Sequence, residues 1–152
     1  MVGRCLCDTA IVSYPVLFED SMNHMKKLLS VLLLLAGAVI ALGGIGHSFG
    51  GVGQVHEALA NQSLQPNVFR LILAVWHFAG ASMVVFGLLV LWQWRELHYG
   101  RNPQGLVLFG IGLFYLLYGV WAVLLTNSTF FSIFVVLGVS VLICAYFLCK
   151  SA

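Results

Sequence analysis

Four long apolar runs constrain this chain more than any other feature of its sequence. They cover about residues 28–46, 71–92, 105–125 and 130–148, and none contains an acidic residue. Each run is close to the ~20 residues that a helix needs to cross a hydrocarbon core of about 30 Å. The runs lack the alternating polarity of barrel strands, and a backbone in lipid must satisfy its own hydrogen bonds, so we predict helices.

The composition favours the same class of protein. Of the 152 residues, 61% are hydrophobic and 8% are charged, which is too little polar surface for a soluble domain of this size. We therefore predict an all-α, four-transmembrane-helix bundle in residues 25–152. The lipid bilayer is its first partner, in a bacterial inner membrane or an equivalent one. The net charge of +2 includes no basic stripe typical of nucleic-acid binding.

The basic residues fall mostly on one side of the predicted spans. The basic residues on that side are Arg4, Lys26, Lys27, Arg95, Arg101 and Lys150. The opposite side carries Arg70 alone. Because cytoplasmic segments are enriched in lysine and arginine, this asymmetry predicts that both termini are cytoplasmic. Residues 47–70 and the turn at 126–129 then form the outer side.

Residues 1–24 form a polar leader before the first span. We expect this leader to be disordered, or to be absent from the mature chain if translation begins at Met22 or Met25. Lys26 and Lys27, followed by an apolar segment and small residues, also match a secretory signal peptide, whose cleavage would leave three spans. The apolar character continues to Ile45, which favours a first span.

Small residues recur at helical spacing within the spans. The first span carries them at Gly37, Ala41, Gly44 and Ser48, and the second carries Gly80 and Gly87 among others. Helices in lipid associate by close backbone packing, which small residues permit. We therefore expect these faces to point into the bundle.

Two histidines lie near the outer end of the predicted bundle. His47 ends the first span, and His77 lies about six residues into the second, roughly 9 Å deeper at 1.5 Å per residue. Side chains lean toward the amino terminus of their helix, so the opposite directions of these spans incline the two imidazoles toward each other. Both histidines also share faces with small residues, and we predict that they face one buried pocket.

Three interpretations of this histidine pocket are compatible with the residues around it. A neutral imidazole bonded to Ser48 or Tyr115 would simply connect helices. A polar pocket formed with Ser48, Arg70 and Tyr115 would bind a proton or another ligand, because intramembrane ionisable groups are candidates for function. Arg70 lies two helical turns before His77, on the same face.

The third interpretation is a transition metal or haem held by His47 and His77. In a zinc or copper site, His56 and Glu57 of the outer loop would complete the ligand shell. Two histidines alone are too few for structural zinc, and a bis-histidine haem requires axial alignment of the two rings.

The pairs His47-Ser48 and Trp76-His77 also carry a resemblance. With these pairs at the end of the first helix and within the second, the chain resembles small bacterial four-helix integral membrane proteins of unassigned function. The resemblance covers about residues 25–148. It implies a four-helix fold and a membrane location, and it implies no activity.

The sequence leaves two classes of function open. The first is a non-enzymatic protein that acts by association, as an accessory or structural subunit of another membrane protein or with itself, since four short spans enclose little volume. The second is a small carrier or redox protein built around His47 and His77. We favour the first class and lean against an enzyme. The glycines near His47 do not predict a phosphate-binding loop, because they lack its Lys-Ser/Thr pair and its strand-turn-helix context.

Overall fold

A computed structural model describes residues 13–60, 62 and 65–150, and this part of the chain is helical without strands. Its α-helices, in chain order, are α1 (Ser13–Gly50), α2 (Val52–Ala60), α3 (Pro66–His98), α4 (Gly105–Thr126) and α5 (Ser132–Lys150). Within the described residues, four helices are long and apolar enough to cross a membrane. The all-helical prediction is confirmed. The first three predicted spans lie inside α1, α3 and α4, and the fourth covers the end of a 3-10 turn (Thr129–Phe131) and most of α5.

The four long helices differ in length. With 38 and 33 residues, α1 and α3 are about 57 and 50 Å long, whereas α4 and α5 have 22 and 19 residues and measure about 33 and 28 Å. Helices α4 and α5 therefore match the thickness of a hydrocarbon core, and α1 and α3 continue well beyond it.

Two segments outside the predicted spans are helical. Helix α1 begins at Ser13, within the predicted 1–24 segment, while residues 1–12 lie outside the described part of the chain. The segment after α1 contains a short helix, α2, that the sequence pattern did not predict. Its half-buried residues Val52, Val55 and Leu59 share one helix face, which explains why this short segment folds back onto the bundle.

Two helix pairs form the bundle, and close backbone contacts hold each pair together. In the α1–α3 pair, a Cβ atom on Gly44 would lie 2.6 Å from the carbonyl oxygen of Gly80. In the α4–α5 pair, a Cβ atom on Gly119 would lie 2.7 Å from the backbone nitrogen of Val135. The helices approach this closely only because these positions lack side chains, as the small-residue pattern predicted.

The two pairs meet around a shared apolar core. Leu33 of α1, Val90 of α3, Leu108 of α4 and Val141 of α5 are fully or almost fully buried there. Gln93 is a buried polar residue near this core, and its Oε1 accepts a hydrogen bond from the backbone nitrogen of Gln104 at 2.7 Å. This bond ties the end of α3 to the start of α4.

The helix directions define two ends of the molecule. The Cys144 thiol lies 3.9 Å from the carbonyl oxygen of Leu29, so the first half of α1 adjoins the last half of α5. The end of α1, helix α2, the start of α3 and the turn between α4 and α5 lie at the opposite end. At that turn, Asn127 adopts a left-handed conformation with φ of 51° and ends α4.

The glycine contact between α1 and α3 yields a prediction about stability. We expect Gly44→Ala to lower the free energy of unfolding by about 1–3 kcal/mol, because the new methyl group would overlap the backbone of Gly80. Gly110→Ala is the matched control, since no described atom lies within 4 Å of a Cβ atom at Gly110. Equilibrium unfolding of both variants in mixed micelles measures the difference, and equal stabilities would contradict the close contact.

Candidate functional site

The last turn of α1 is fixed to α3 by Trp76. The indole Nε1 donates a hydrogen bond of 2.8 Å to the carbonyl oxygen of His47. Carbonyl groups in the last turn of a helix have no partner within the helix. Trp76 therefore satisfies a carbonyl that α1 leaves unpaired, and it holds the end of α1 against α3.

The rings of the same two residues stack. The centroids of the His47 and Trp76 rings are 3.9 Å apart, with 18° between their planes. Gly51 leaves room for this arrangement, since a Cβ atom there would lie 2.6 Å from Cζ2 of Trp76. One face of the imidazole is therefore covered by the indole, and the orientation of the ring is determined by the stack.

His47 has a buried nitrogen atom that makes no hydrogen bond. Its Nε2 and the hydroxyl oxygen of Tyr115 are the buried side-chain atoms without a hydrogen-bond partner among the described residues. Buried polar atoms in proteins are nearly always paired, and leaving one unpaired costs about 1–3 kcal/mol. Such an atom next to a cavity is a candidate contact for a ligand.

A pocket of about 420 Å³ lies next to His47, between α1, α3 and the start of α5. It is within the range of about 300–1,000 Å³ that is typical of small-molecule sites. Most of its lining is apolar or aromatic. The lining residues are Val39, Gly43, Gly46, His47, Gly50, Gly51, Gln54, Trp76, Met83, Phe130, Ile133, Phe134 and Leu137. We call this cavity the His47 pocket.

The structure places His77 outside the lining of the His47 pocket. His77 is exposed, and it is not among the residues that line the pocket. Successive residues of an α-helix are rotated by about 100°, and Trp76 takes the position that reaches the end of α1. His47 and Trp76, rather than His47 and His77, are therefore the pair that meets at the pocket.

The residues expected to bind a metal or haem are not assembled into one site. His56 packs against Phe69 with ring centroids 5.2 Å apart and the planes tilted by 51°, and Glu57 is exposed on α2. Among the described residues, no group of three or more histidine, cysteine, aspartate or glutamate side chains could hold a metal ion. With one imidazole at the pocket, the residues present do not fit a zinc or bis-histidine haem site.

The expected polar pocket of Ser48, Arg70 and Tyr115 is also divided. Ser48 lies against the backbone of Gly80 at the contact between α1 and α3. Arg70 is exposed near the start of α3. Tyr115 is 2% exposed among aromatic rings, with the ring of Phe134 at 5.9 Å. Phe134 also lines the His47 pocket, so Tyr115 lies behind one pocket wall.

Several residues of the His47 pocket were not predicted to be functional. Trp76 could have been found from its spacing, because it lies one helical turn before Gly80 and so shares the face that meets α1. Gln54 belongs to the unpredicted helix α2. Phe130 and Phe134 carry no local signal, since they reach the pocket only through the packing of α5 beside α1.

A comparison of the chain with protein-family models, curated proteins and solved structures found no match. The resemblance to small four-helix membrane proteins thus stays a prediction.

Proposed function

We propose that this chain is a small multi-pass integral membrane protein that binds a small amphipathic molecule in the His47 pocket. The observation that carries the proposal is the unpaired Nε2 of His47 beside a cavity of about 420 Å³. A ligand that supplies a hydrogen bond to this nitrogen would recover much of the cost of leaving it unpaired. This function corresponds to the carrier alternative, with a ligand in place of a metal or haem.

The lining of the pocket indicates the polarity of the ligand. Among the described residues that line it, none carries a formal charge. A charged group buried there would lack a counter-charge, which is strongly unfavourable in an apolar environment. The polar part of the ligand is therefore neutral, and an oxygen atom of a hydroxyl or carbonyl group suits a ring nitrogen.

The ligand reaches Nε2 through a small movement of the imidazole. His47 lines the pocket, and its Nε2 is buried. The χ2 torsion of histidine has a broad energy minimum, so a modest rotation brings the nitrogen to the cavity. The stacked Trp76 limits this rotation on one side.

Trp76 provides a fluorescent reporter for the proposed binding. In a variant with Trp76 as the sole tryptophan, we expect 4-bromophenol to quench its fluorescence saturably. His47→Phe keeps a flat ring on the indole but removes the nitrogen, so affinity should fall about tenfold, the equivalent of 1.4 kcal/mol. Bromobenzene, which has no hydroxyl group, should bind both proteins equally.

The exposed His77 supplies the matched control for this experiment. His77→Phe changes a histidine next to Trp76 without changing the pocket lining, so its affinity for 4-bromophenol should equal that of the parent protein. Equal affinities of His47→Phe and the parent would contradict the proposed function.

We also propose an orientation of the protein in the membrane, with both termini in the cytoplasm. Lys26 and Lys27 in the first half of α1 lie at the same end as Arg95 and Arg101 near the α3–α4 connection, whereas Arg70 lies at the other end. The gathering of lysine and arginine at one end supports cytoplasmic termini. The His47 pocket is then in the outer half of the membrane.

Cysteine labelling of intact cells tests this orientation. In a background without the native cysteines, a cysteine at Gln62 should react with a membrane-impermeant maleimide, and a cysteine at Asn102 should react only after the cells are permeabilised. Both positions are exposed, so access to the reagent decides the outcome. The reverse pattern would contradict the proposed orientation.

A role in association with another membrane protein, or with a second copy, is the second candidate. This role is favoured by the exposed surface of α3. In its most apolar 18-residue segment, 11% is buried, compared with 28–39% in the corresponding segments of the other long helices. Phe78 and Val85 are exposed on this helix. Disulfide cross-linking of Phe78→Cys in native membranes, with Leu124→Cys as control, tests this role, and equal behaviour of the two variants would contradict it.

A further inference from the structure

The His47 pocket has one wall made of glycine. Gly43, Gly46 and Gly50 recur on one face of α1 and line the pocket. No described atom lies within 4 Å of a Cβ atom at Gly46 or Gly50, and at Gly43 only the end of the Met83 side chain does, at 3.4 Å. Unlike Gly44, these glycines are not required by the contact with α3, and any side chain there would project into the cavity.

The dimensions of the pocket indicate what can lie along this wall. The eleven residue steps from Val39 to Gly50 span about 16 Å of helix. The volume of about 420 Å³ is distributed along this length of α1. The elongated shape suits one extended hydrocarbon chain lying along the glycines.

The pocket also changes in polarity along its length. His47 and Gln54 are at the end near α2, whereas Val39, Met83 and Leu137 line the opposite end. A bound molecule therefore meets hydrogen-bonding groups at one end and only apolar groups at the other. This gradient matches a molecule with one polar head and one apolar tail.

We propose that the ligand is a single-chain lipid whose neutral oxygen-bearing head lies at His47 and whose tail lies along Gly46 and Gly43 toward Val39. This inference rests on the proposed function and specifies its ligand. The head carries a hydroxyl or carbonyl group, the chemistry shared by long-chain alcohols and isoprenoid quinones. The phosphate of a phospholipid would meet no cationic group among the described lining residues.

Photo-cross-linking from the end of the tail tests the position of the chain. The probe is a twelve-carbon primary alcohol with a diazirine at its terminal carbon, added to the full-length protein in lipid nanodiscs. The cross-linked residues, identified by mass spectrometry, should be Met83 or Leu137, the less exposed residues at this end of the pocket. Cross-links confined to exposed residues such as Leu42 and Leu124, which are 67% and 78% exposed, would overturn the proposal.

A matched pair of glycine variants tests the path of the tail. Gly46→Leu should reduce pocket cross-linking about tenfold by filling this path. Gly110→Leu should leave cross-linking unchanged, since neither glycine has a described atom within 4 Å of its Cβ position and only Gly46 lines the pocket. The His47-dependent quenching by 4-bromophenol should also persist in Gly110→Leu.

Unlabelled competitors distinguish the two kinds of head. Stronger competition by dodecanol assigns a simple hydroxyl head, and stronger competition by a quinone with one ten-carbon chain assigns a ring head with carbonyl groups. No competition by either compound, with 4-bromophenol still bound at His47, would overturn the single-chain ligand and leave the proposed function intact. If 4-bromophenol binding is also independent of His47, the proposed function fails as well.

Discussion

The backbone contact between α1 and α3 at Gly44 and Gly80 determines the geometry on which the candidate site depends. The two helices run in opposite directions. The residue one turn after Gly44 and the residue one turn before Gly80 therefore lie on the same side of the contact. These positions hold Ser48, whose side chain lies against Gly80, and Trp76. The indole then stacks on His47 and bonds its carbonyl oxygen. A wider separation of the helices would remove both interactions.

The glycines near the end of α1 lie on two faces of the helix, one against α3 and one at the His47 pocket. Gly44 contacts α3 with almost no space for a side chain, whereas its neighbour Gly43 is rotated by about 100° and lines the His47 pocket with Gly46 and Gly50. Glycine costs about 1 kcal/mol relative to alanine inside a helix. The close contact with α3 explains why glycine occupies position 44 despite this cost. The proposed ligand explains the glycines at positions 46 and 50.

The sequence was sufficient for the helical class and for part of the site. Apolar runs near 20 residues predict the four long helices, and the spacing of Gly37, Gly44 and Gly80 predicts which faces meet, since both signals depend on local helix geometry. The sequence could not decide whether Trp76 or His77 reaches the pocket, because a difference of one residue rotates a side chain by about 100° around the helix. The contribution of Phe134 depends on how α5 packs beside α1, which no local pattern encodes.

The central claim is that Nε2 of His47 forms a hydrogen bond with a bound ligand, either as the donor or as the acceptor. Nitrogen NMR observes this atom directly. The protein contains five histidines, so ¹⁵N-histidine labelling gives a small set of ring resonances, and His47→Phe assigns the resonance of interest. On addition of dodecanol to the protein in nanodiscs, the account predicts a shift of the His47 Nε2 resonance while the resonances of the other histidines stay in place. An unchanged His47 resonance at saturating dodecanol, or equal shifts at every histidine, would contradict it.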